Sequence, residues 1–256
     1  MIHPTAVIDA EAKIGENVKI GPYCIIEADT VIGDGCELKS HVVVARHTHI
    51  GKYNKIYPFA SIGEDPQDKK YDNEPTRLVI GDNNTIREYV TINRGTVDDA
   101  GLTQIGDDNW IMAYVHIAHD CVLGNHTILA NCTSLAGHVH VGNYAILGGF
   151  TKLHQFCRVG DHAFTAMDSG FQKDVPPFVM AQGNPAKPRA INFEGLKRRG
   201  FSKERIALIK AAYRIIYKSD LKLSEAMTAL ENLAKESEDV KMMFEFIQNS
   251  SRSIIR

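Results

Sequence analysis

Histidine side chains are concentrated in the middle of the chain, at His116, His119, His126, His138, His140, His154 and His162. The densest stretch is His116-Ile-Ala-His119-Asp120-Cys121, in which an imidazole is followed directly by a carboxylate. Such a histidine can act as a general base, because imidazole exchanges protons near neutral pH. Gly137 stands 18 residues after His119, and an unobstructed glycine N–H can stabilise an oxyanion. These residue types point to acyl transfer, provided that the fold brings them together.

A metal-binding interpretation of the same residues is also open. Neutral imidazoles are common zinc ligands, and His116, His119 and His138 could form a site like that of trimeric, zinc-dependent carbonic anhydrases. This alternative leaves a basic stretch near the C-terminus without a use, since carbon dioxide hydration needs no such surface. We therefore expect acyl transfer, with neither a metal ion nor a cofactor.

These residues must be positioned by an internal sequence repeat whose unit is six residues long. Aliphatic residues occupy every sixth position from Ile2 to Ile62, from Ile80 to Ile92 and from Ile105 to Val159. A period of six fits neither an α-helix nor an alternating strand, and it is typical of a parallel β-helix of hexapeptide repeats. Proteins of this kind resemble the left-handed family. We therefore expect a mainly β fold, a left-handed parallel β-helix with a C-terminal α-helical cap.

The register of the repeat predicts the environment of each position. A small or β-branched residue stands four positions after the aliphatic one, and four of the five cysteines occupy this place: Cys24, Cys36, Cys121 and Cys157. We expect them to be small core residues. Gly often follows the aliphatic residue directly, as at Gly15 and Gly33, and is predicted to adopt positive φ at a corner. Three hexads would close one coil, so Gly137 would stack over His119.

Two intervals longer than six residues interrupt the repeat. The interval after Ile62 predicts an inserted loop near residues 64–78, and the interval after Ile92 predicts a second loop near residues 96–104. Insertions in repeat proteins collect on one face and often carry binding residues. Both loops are therefore candidate parts of a functional site.

The character of the chain changes after the repeat ends. We expect one domain over residues 1–189, the β-helix, and a second domain over residues 190–256, formed by helices. Asn192, Ser202 and Ser224 are predicted to be N-caps of three of these helices. The helices would cover the open end of the prism, as the terminal units of a repeat protein must.

Composition restricts the classes of function. The formal net charge of −2 argues against bulk nucleic-acid binding. There is no apolar run of membrane-spanning length and no secretory signal, which predicts a cytoplasmic protein without an integral membrane segment. The charge is uneven, however, because residues 187–218 hold ten Lys or Arg against Glu194 and Glu204. This local excess suits an acidic protein partner or a phosphate group.

Five segments match the pattern of one enzyme family. They are QDKKYDNEPTR (67–77), HIAHDC (116–121), LAGHV (135–139), HQF (154–156) and NFEGLKRRGFS (192–202). With these segments the chain resembles the UDP-N-acetylglucosamine acyltransferase family over its full length. The resemblance implies a homotrimer with active sites between neighbouring prisms. It also implies transfer of an (R)-3-hydroxyacyl chain from acyl carrier protein to the glucosamine 3-hydroxyl of UDP-N-acetylglucosamine, the first step of lipid A biosynthesis.

The resemblance assigns roles to individual residues. His119 matches the general base, Asp120 the residue that orients it, and Gly137 the donor of the oxyanion-binding amide. His116, His138 and His154 match positions that line the sugar and thioester site. Asp68 and Lys70 match loop residues that reach the sugar or its phosphates. The nucleotide would be bound by Gln155, Asn192, Glu194, Arg198 and Arg199.

Two positions depart from the family's pattern. The family usually reads T-I-H-R-G-T where this chain has Thr91-Ile92-Asn93-Arg94-Gly95-Thr96. Asn93 can form hydrogen bonds but cannot titrate near neutral pH, so a sugar contact is the role that remains for it. Met167 stands where long-chain members carry Gly. We therefore expect a preference for acyl chains shorter than about 14 carbons, since each excluded CH₂ loses ~0.8 kcal/mol of burial.

Other functions remain as alternatives. The sister N-acyltransferase of the same pathway has an additional N-terminal uridine-binding domain, whereas the repeat of this chain starts at Ile2. A structural or ice-binding β-helix would show regular Thr or apolar ladders instead of a histidine cluster and a basic segment. The O-acyltransferase is therefore the function that the sequence predicts.

Overall fold

Three parallel β-sheets surround one apolar core and form a triangular prism, which α-helices close at the C-terminal end. The structure is a computed structural model that describes residues 1–256. The predicted fold class, a left-handed parallel β-helix of hexapeptide repeats with a C-terminal helical cap, is confirmed.

The strands are short, and most contain two residues. Those up to the second insertion are β1 (Val7–Ile8), β2 (Lys13–Ile14), β3 (Lys19–Ile20), β4 (Ile25–Ile26), β5 (Val31–Ile32), β6 (Glu37–Leu38), β7 (Val43–Val44), β8 (Thr48–Ile50), β9 (Lys55–Ile56), β10 (Ser61–Glu64), β11 (Arg77–Ile80), β12 (Thr85–Ile86) and β13 (Thr91–Asn93). Those after it are β14 (Leu102–Ile105), β15 (Trp110–Ile111), β16 (His116–Ile117), β17 (Val122–Leu123), β18 (Ile128–Leu129), β19 (Ser134–Leu135), β20 (His140–Val141), β21 (Ile146–Leu147), β22 (Lys152–Leu153), β23 (Arg158–Val159), β24 (Phe164–Thr165), β25 (Gly170–Phe171), β26 (Val179–Gly183) and β27 (Ala186–Ile191).

Strands three apart in the chain pair with each other, so each coil contributes one strand to each sheet. The first sheet has the order β1-β4-β7-β10-β13-β16-β19-β22-β25, and the second has β2-β5-β8-β11-β14-β17-β20-β23. The third has β27-β26-β24-β21-β18-β15-β12-β9-β6-β3, and only its β26–β27 pair is antiparallel. We name the edges of the prism by the sheets they join: the first edge joins the first and second sheets, the second edge the second and third, and the third edge the third and first.

Neither insertion disturbs the register of the strands in the prism. Ile92 pairs with Ile62 across the first insertion, and Ile105 pairs with Ile80 across the second. The first loop (residues 65–76) joins β10 to β11, and the second loop (residues 94–101) joins β13 to β14. Both loops therefore emerge at the first edge.

The core consists of the aliphatic and the small positions of the repeat. The aliphatic side chains, such as Ile62 and Ile92, are fully buried from the second coil onward. The same cluster contains the four cysteines predicted to be small core residues, and all five cysteines of the chain are free thiols. Burying one Ile or Leu side chain contributes about 2 kcal/mol. The stacked coils therefore stabilise one another mainly through the buried aliphatic side chains of the core.

The small position also carries a buried polar ladder that sequence reasoning did not single out. Asn54, Asn84 and Asn109 occupy it in three successive coils and are almost completely buried. The side-chain oxygen of each accepts a hydrogen bond from the backbone N–H of the next member, at 2.9 Å in both steps. The backbone of Thr127 continues the ladder by donating to Asn109 at 2.8 Å. This pairing offsets the cost of burying the side-chain oxygens, whereas the amide nitrogens of Asn84 and Asn109 are buried without a partner.

The predicted role of the corner glycines is wrong. Among the glycines that directly follow the aliphatic position, only Gly63, at the start of the first insertion, has positive φ, and the others, such as Gly15 and Gly33, do not. These positions need glycine because the next coil passes too close for a side chain: a Cβ on Gly33 would lie 2.6 Å from the carbonyl of Gly51. Positive φ occurs two residues later, often at aromatic residues. Their rings stack along the edges, as Tyr89 and Tyr114 do at 4.9 Å, which compensates for the backbone strain.

Four helices follow the prism: α1 (Phe193–Arg198), α2 (Lys203–Tyr217), α3 (Leu223–Ala234) and α4 (Glu238–Gln248). Asn192 and Ser202 cap α1 and α2, as predicted, by accepting hydrogen bonds from backbone N–H groups three residues on. The prediction for Ser224 is wrong, because α3 begins at Leu223 and the N–H of Lys222 donates to Glu225. None of the four helices has the length and hydropathy needed to cross a membrane.

The helical cap is attached to the prism at the second edge. The Asn192 amide donates to the carbonyl of His162 at 2.9 Å, and Arg199 donates to the carbonyl of Tyr144 at 2.8 Å. The His162 ring stacks between Tyr144 and Phe178, at 4.9 and 5.6 Å. Burial, followed by the positive charge of Arg199, lowers the pKa of His162 to about 4.

This depressed pKa predicts that His162 makes the fold sensitive to acid. The unfolded chain binds a proton on this histidine below its ordinary value of 6.5, while the folded chain binds it only near 4. Stability is therefore lost as the pH falls through this window. His162→Phe keeps the ring stack and removes the proton site. We expect it to lose a few °C less in melting temperature between pH 7 and pH 4.5 than the unmodified protein.

The matched control for this experiment is His126→Phe. His126 stacks on the same Tyr144 ring at 4.7 Å, but its side chain is exposed at the surface. The control should keep the acid dependence of the unmodified protein. Identical acid dependence of His162→Phe and the unmodified protein would show that the interpretation is wrong.

Candidate active site

His119 and Asp120 form a buried imidazole–carboxylate pair at the first edge. The His119 Nδ1 lies 2.8 Å from Asp120 Oδ2, and the two residues are only 6 % and 2 % exposed. They follow β16, where Ile117 takes the core position, and Asp120 turns the corner with φ of 58°. The pair therefore faces away from the core but is covered from outside. Because Nδ1 is occupied by the carboxylate, Nε2 is the nitrogen available to a substrate.

The cover is the second loop, which sequence reasoning did not connect with this pair. Thr96 donates to both carboxylate oxygens of Asp120, from its N–H at 2.9 Å and from its hydroxyl at 2.6 Å. Burial by itself raises the pKa of Asp120, but the hydrogen bonds from His119 and Thr96 outweigh it and lower that pKa below its ordinary value. Asp120 is therefore held as an anion beside His119.

Gly137 lies directly over His119, one coil further along the prism. A Cβ at Gly137 would lie 2.5 Å from His119 Cε1, so only glycine leaves room for the imidazole. The N–H of Gly137 donates to no acceptor within the protein, while its carbonyl accepts from Phe156 at 3.1 Å. A free N–H next to a histidine is the arrangement that oxyanion stabilisation requires.

His138 and His116 flank the pair. The His138 ring meets the His119 ring edge-on at 5.2 Å, and its Nδ1 lies 2.9 Å from a carboxylate oxygen of Asp99 in the second loop. His116 Nδ1 lies 2.8 Å from the hydroxyl of Thr91. Burial, with a smaller contribution from His119, lowers the pKa of His116 and favours its neutral form. One coil above these residues, His154 and Gln155 lie exposed at the same edge.

The first loop carries Asp68 and Lys70 to the first edge. Asp68 accepts a hydrogen bond from the N–H of Lys70 at 3.0 Å, and the Lys70 ammonium lies 3.5 Å from Asp98 of the second loop. Both side chains of this ion pair are largely exposed, so it contributes little to stability. The two loops nevertheless meet above the histidine cluster.

Asn93 and Arg94 hold the base of the first loop. The Asn93 amide donates to the carbonyl of Asp65 at 2.8 Å, and Arg94 donates to the carbonyl of Gly63 at 2.9 Å and to the hydroxyl of Tyr71 at 2.8 Å. Arg94 also forms an ion pair with the Asp65 carboxylate. Asn93, the departure noted in the sequence, is thus buried with its amide nitrogen engaged by the first loop, while its side-chain oxygen has no partner within the chain.

The residues predicted to bind the nucleotide do not lie together in one chain. Asn192, Glu194, Arg198 and Arg199 belong to α1 and its two flanking residues, which pack at the second edge, whereas Gln155 lies at the first. Asn192 and Arg199 make the contacts with the prism described above, although one guanidinium nitrogen of Arg199 is buried without a partner. Arg198 and Glu194 are exposed.

Met167 occupies yet another position. It lies between β24 of the third sheet and β25 of the first sheet, and is therefore at the third edge. Its side chain is 72 % exposed. Within one chain, the predicted catalytic, nucleotide and acyl-length residues are thus distributed over three different edges.

The geometry favours proton transfer over metal binding at the histidine cluster. The ligand atoms that lie within 4.8 Å of one another belong to His119, Asp120 and His138, and His116 is not among them. Both oxygens of Asp120 already accept hydrogen bonds, and His119 Nδ1 is engaged by the same carboxylate. The three-histidine zinc site considered from the sequence is therefore not formed within one chain.

Comparisons with known proteins identify the family. Residues 174–255 match a sequence profile described as Udp N-acetylglucosamine O-acyltransferase, Domain 2, and residues 11–46 and 102–137 match the bacterial transferase hexapeptide repeat. Relatives from Halorhodospira halophila and Janthinobacterium sp. are 60 % and 57 % identical, and each match covers 100 % of this chain and 99 % of the relative. Both are named acyl-[acyl-carrier-protein]--UDP-N-acetylglucosamine O-acyltransferase.

Solved structures agree with the sequence relatives. The UDP-N-acetylglucosamine acyltransferase of Francisella novicida superposes with a TM-score of 0.98 at 46 % identity, over 100 % of this chain and 94 % of the other. The Acinetobacter baumannii structure superposes with a TM-score of 0.97 at 45 % identity, over 100 % and 99 %. With the whole chain covered at these identities, this protein belongs to the UDP-N-acetylglucosamine O-acyltransferase family.

Proposed function

We propose that this protein transfers an (R)-3-hydroxyacyl chain from acyl carrier protein to the 3-hydroxyl of the glucosamine in UDP-N-acetylglucosamine, in lipid A biosynthesis. The observation that carries the proposal is the buried His119–Asp120 pair beneath the free N–H of Gly137. The name of the relatives supplies the substrates, an acylated carrier protein and UDP-N-acetylglucosamine. That name also supports O-acylation over the N-acyltransferase alternative.

The proposed mechanism gives each of these groups a defined role. His119 Nε2 takes the proton of the sugar hydroxyl as its oxygen attacks the thioester carbonyl. The carbonyl oxygen becomes an oxyanion that the N–H of Gly137 stabilises, and Asp120 stabilises the imidazolium. When the intermediate collapses, the C–S bond breaks and the thiolate of the carrier receives the proton from His119. The products are the O-acylated sugar nucleotide and the free thiol of the carrier.

The complete site is proposed to lie between neighbouring prisms of a homotrimer. The first edge carries His119, His138, His154 and both loops, while Arg198 and Met167 lie at the other two edges of the same chain. The sugar nucleotide must reach both the base and the nucleotide site, and the acyl chain of the donor must reach both the base and the acyl groove, so these groups have to come from more than one chain. A location in the cytoplasm, where acyl carrier protein is available, remains part of the proposal.

A cleft on the helical cap is the proposed docking surface for the carrier protein. It lies between β27 and α2, has a volume of about 320 Å³, and has Arg189, Lys210, Arg214 and Lys218 among its lining residues. None of these four cations forms an ion pair within the chain. Acyl carrier protein is strongly acidic, so unpaired cations around a partly apolar cleft are complementary to it.

Removing the base tests the proposed function directly. We expect His119→Ala to reduce turnover of UDP-N-acetylglucosamine with 3-hydroxyacyl carrier protein by a factor of roughly 10²–10⁴, while its circular dichroism spectrum and oligomeric state stay unchanged. Mass spectrometry of the acylated sugar nucleotide measures the rate. His126→Ala, an exposed histidine at the second edge, is the control and should remain active. Near-normal turnover of His119→Ala would refute the assignment.

The docking surface predicts a charge-reversal effect. The double variant Lys210→Glu, Arg214→Glu should raise the KM for the acylated carrier protein by about tenfold or more, because two attractive contacts become repulsive. The KM for UDP-N-acetylglucosamine should not change. Lys13→Glu with Lys19→Glu, a double reversal at the distant N-terminal coils, is the matched control. An equal effect of both double variants would show that the cleft is not the docking site.

The assignment of Met167 predicts acyl-chain selectivity. The protein should prefer donors shorter than about 14 carbons, and Met167→Gly should shift the preference to longer chains by opening the groove. Competition between 3-hydroxyacyl donors of different length measures this, and the rate with the ten-carbon donor is the internal control. A faster rate with the 14-carbon donor in the unmodified protein would contradict the prediction.

A further inference from the structure

We propose that Thr96 is a positioning residue for the catalytic pair, which it serves by fixing the carboxylate of Asp120. The inference rests on the proposed function, in which His119 is the base. Its basis is a continuous hydrogen-bonded chain that runs from the second loop to the imidazole. The hydroxyl of Thr96 donates to Asp120 Oδ2 at 2.6 Å, and the same oxygen lies 2.8 Å from His119 Nδ1.

The carboxylate of Asp120 has one orientation because each part of the residue is held. The N–H of Thr96 donates to Oδ1 while its hydroxyl donates to Oδ2, so the plane of the carboxylate is defined by one partner. The backbone N–H of Asp120 donates to the hydroxyl of Thr103 at 2.8 Å. Asp120 and Thr96 are 2 % and 5 % exposed, so water has little access to replace a lost donor.

The second loop is built to keep Thr96 in place. The N–H groups of Asp99 and Gly101 both donate to the carbonyl of Thr96, at 3.3 and 3.0 Å. Next to Thr96, Gly95 approaches the far end of the loop so closely that a Cβ would lie 2.1 Å from the backbone nitrogen of Leu102. The loop thus closes on itself around Thr96, and the donor that faces Asp120 is preorganised.

Thr96 also influences the charge that His119 experiences. Its two hydrogen bonds disperse the negative charge of Asp120, and without the hydroxyl more of that charge would face the imidazole. The protonated form of His119 would then be favoured, and the base would be lost at a higher pH. The other titratable groups around His119 are His116, His138 and, beyond His138, Asp99. His138 Nε2 also lies 3.9 Å from the oxygen of Asp120 that the Thr96 hydroxyl contacts. All of these groups are retained when only the Thr96 hydroxyl is removed.

The test compares Thr96→Val with Thr96→Ser. Valine keeps the shape and the backbone N–H but lacks the hydroxyl, and we expect a roughly tenfold to hundredfold loss in kcat with little change in the KM for UDP-N-acetylglucosamine. The acid limb of the kcat/KM profile should move to higher pH by about half a unit. Serine retains the hydroxyl and should restore most of kcat and the position of the acid limb.

Thr30→Val is the matched control for the loss of a buried threonine hydroxyl. Thr30 is fully buried in an N-terminal coil, and its hydroxyl bonds only to backbone carbonyls. This variant should keep the kcat and the pH profile. If Thr96→Val loses activity only in proportion to its unfolded fraction, with an unmoved profile, Thr96 is merely structural and the inference is overturned.

The two variants distinguish the role of His119 as the base from the role of Thr96 as a positioning residue. A fully active His119→Ala would remove the base assignment itself. An inactive His119→Ala together with a fully active Thr96→Val would leave the base in place and overturn only the role of Thr96.

Discussion

The stacking of each coil on the next, through parallel backbone hydrogen bonds, is the interaction on which the whole structure depends. These bonds require every strand to return in the same phase, and Ile92 over Ile62 shows that even a long insertion obeys the requirement. The close approach at Gly33 and Gly51 leaves no space for a side chain between coils. Because the corners therefore recur in fixed columns, residues distant in the chain meet at one edge.

The same constraint explains which parts of the site could be predicted from the sequence. The repeat placed Gly137 one coil above His119, and the structure shows this contact, because the spacing of 18 residues is a property of the coil. The aliphatic core, the cysteines and the caps at Asn192 and Ser202 follow from equally local patterns. The corner glycines were misjudged because the sequence shows a small residue without showing whether dihedral angle or space requires it. At these glycines, Gly63 excepted, the structure shows that the lack of space for a side chain requires glycine.

The contacts made by the loops could not be read from the sequence. Thr96 reaches Asp120 across 24 positions and Asp99 reaches His138 across 39. Neither interval is a multiple of the 18-residue coil, so the stacking pattern does not signal these pairs. Asn93 is predicted to be a sugar contact, and the sequence did not show that its amide nitrogen would also be tied to the base of the first loop. The loops are thus tied to the prism by contacts that stabilise the site without leaving a pattern in the sequence.

The distribution of the candidate residues over three edges has a consequence for how activity depends on concentration. The core and the backbone ladder of each prism are complete within one chain. In the proposed assembly that same prism has no complete site, because Arg198 and Met167 point away from the edge that carries His119. Dilution below the dissociation constant of the assembly would then abolish turnover without unfolding any chain, since mass action would govern catalysis separately from the stability of the prism.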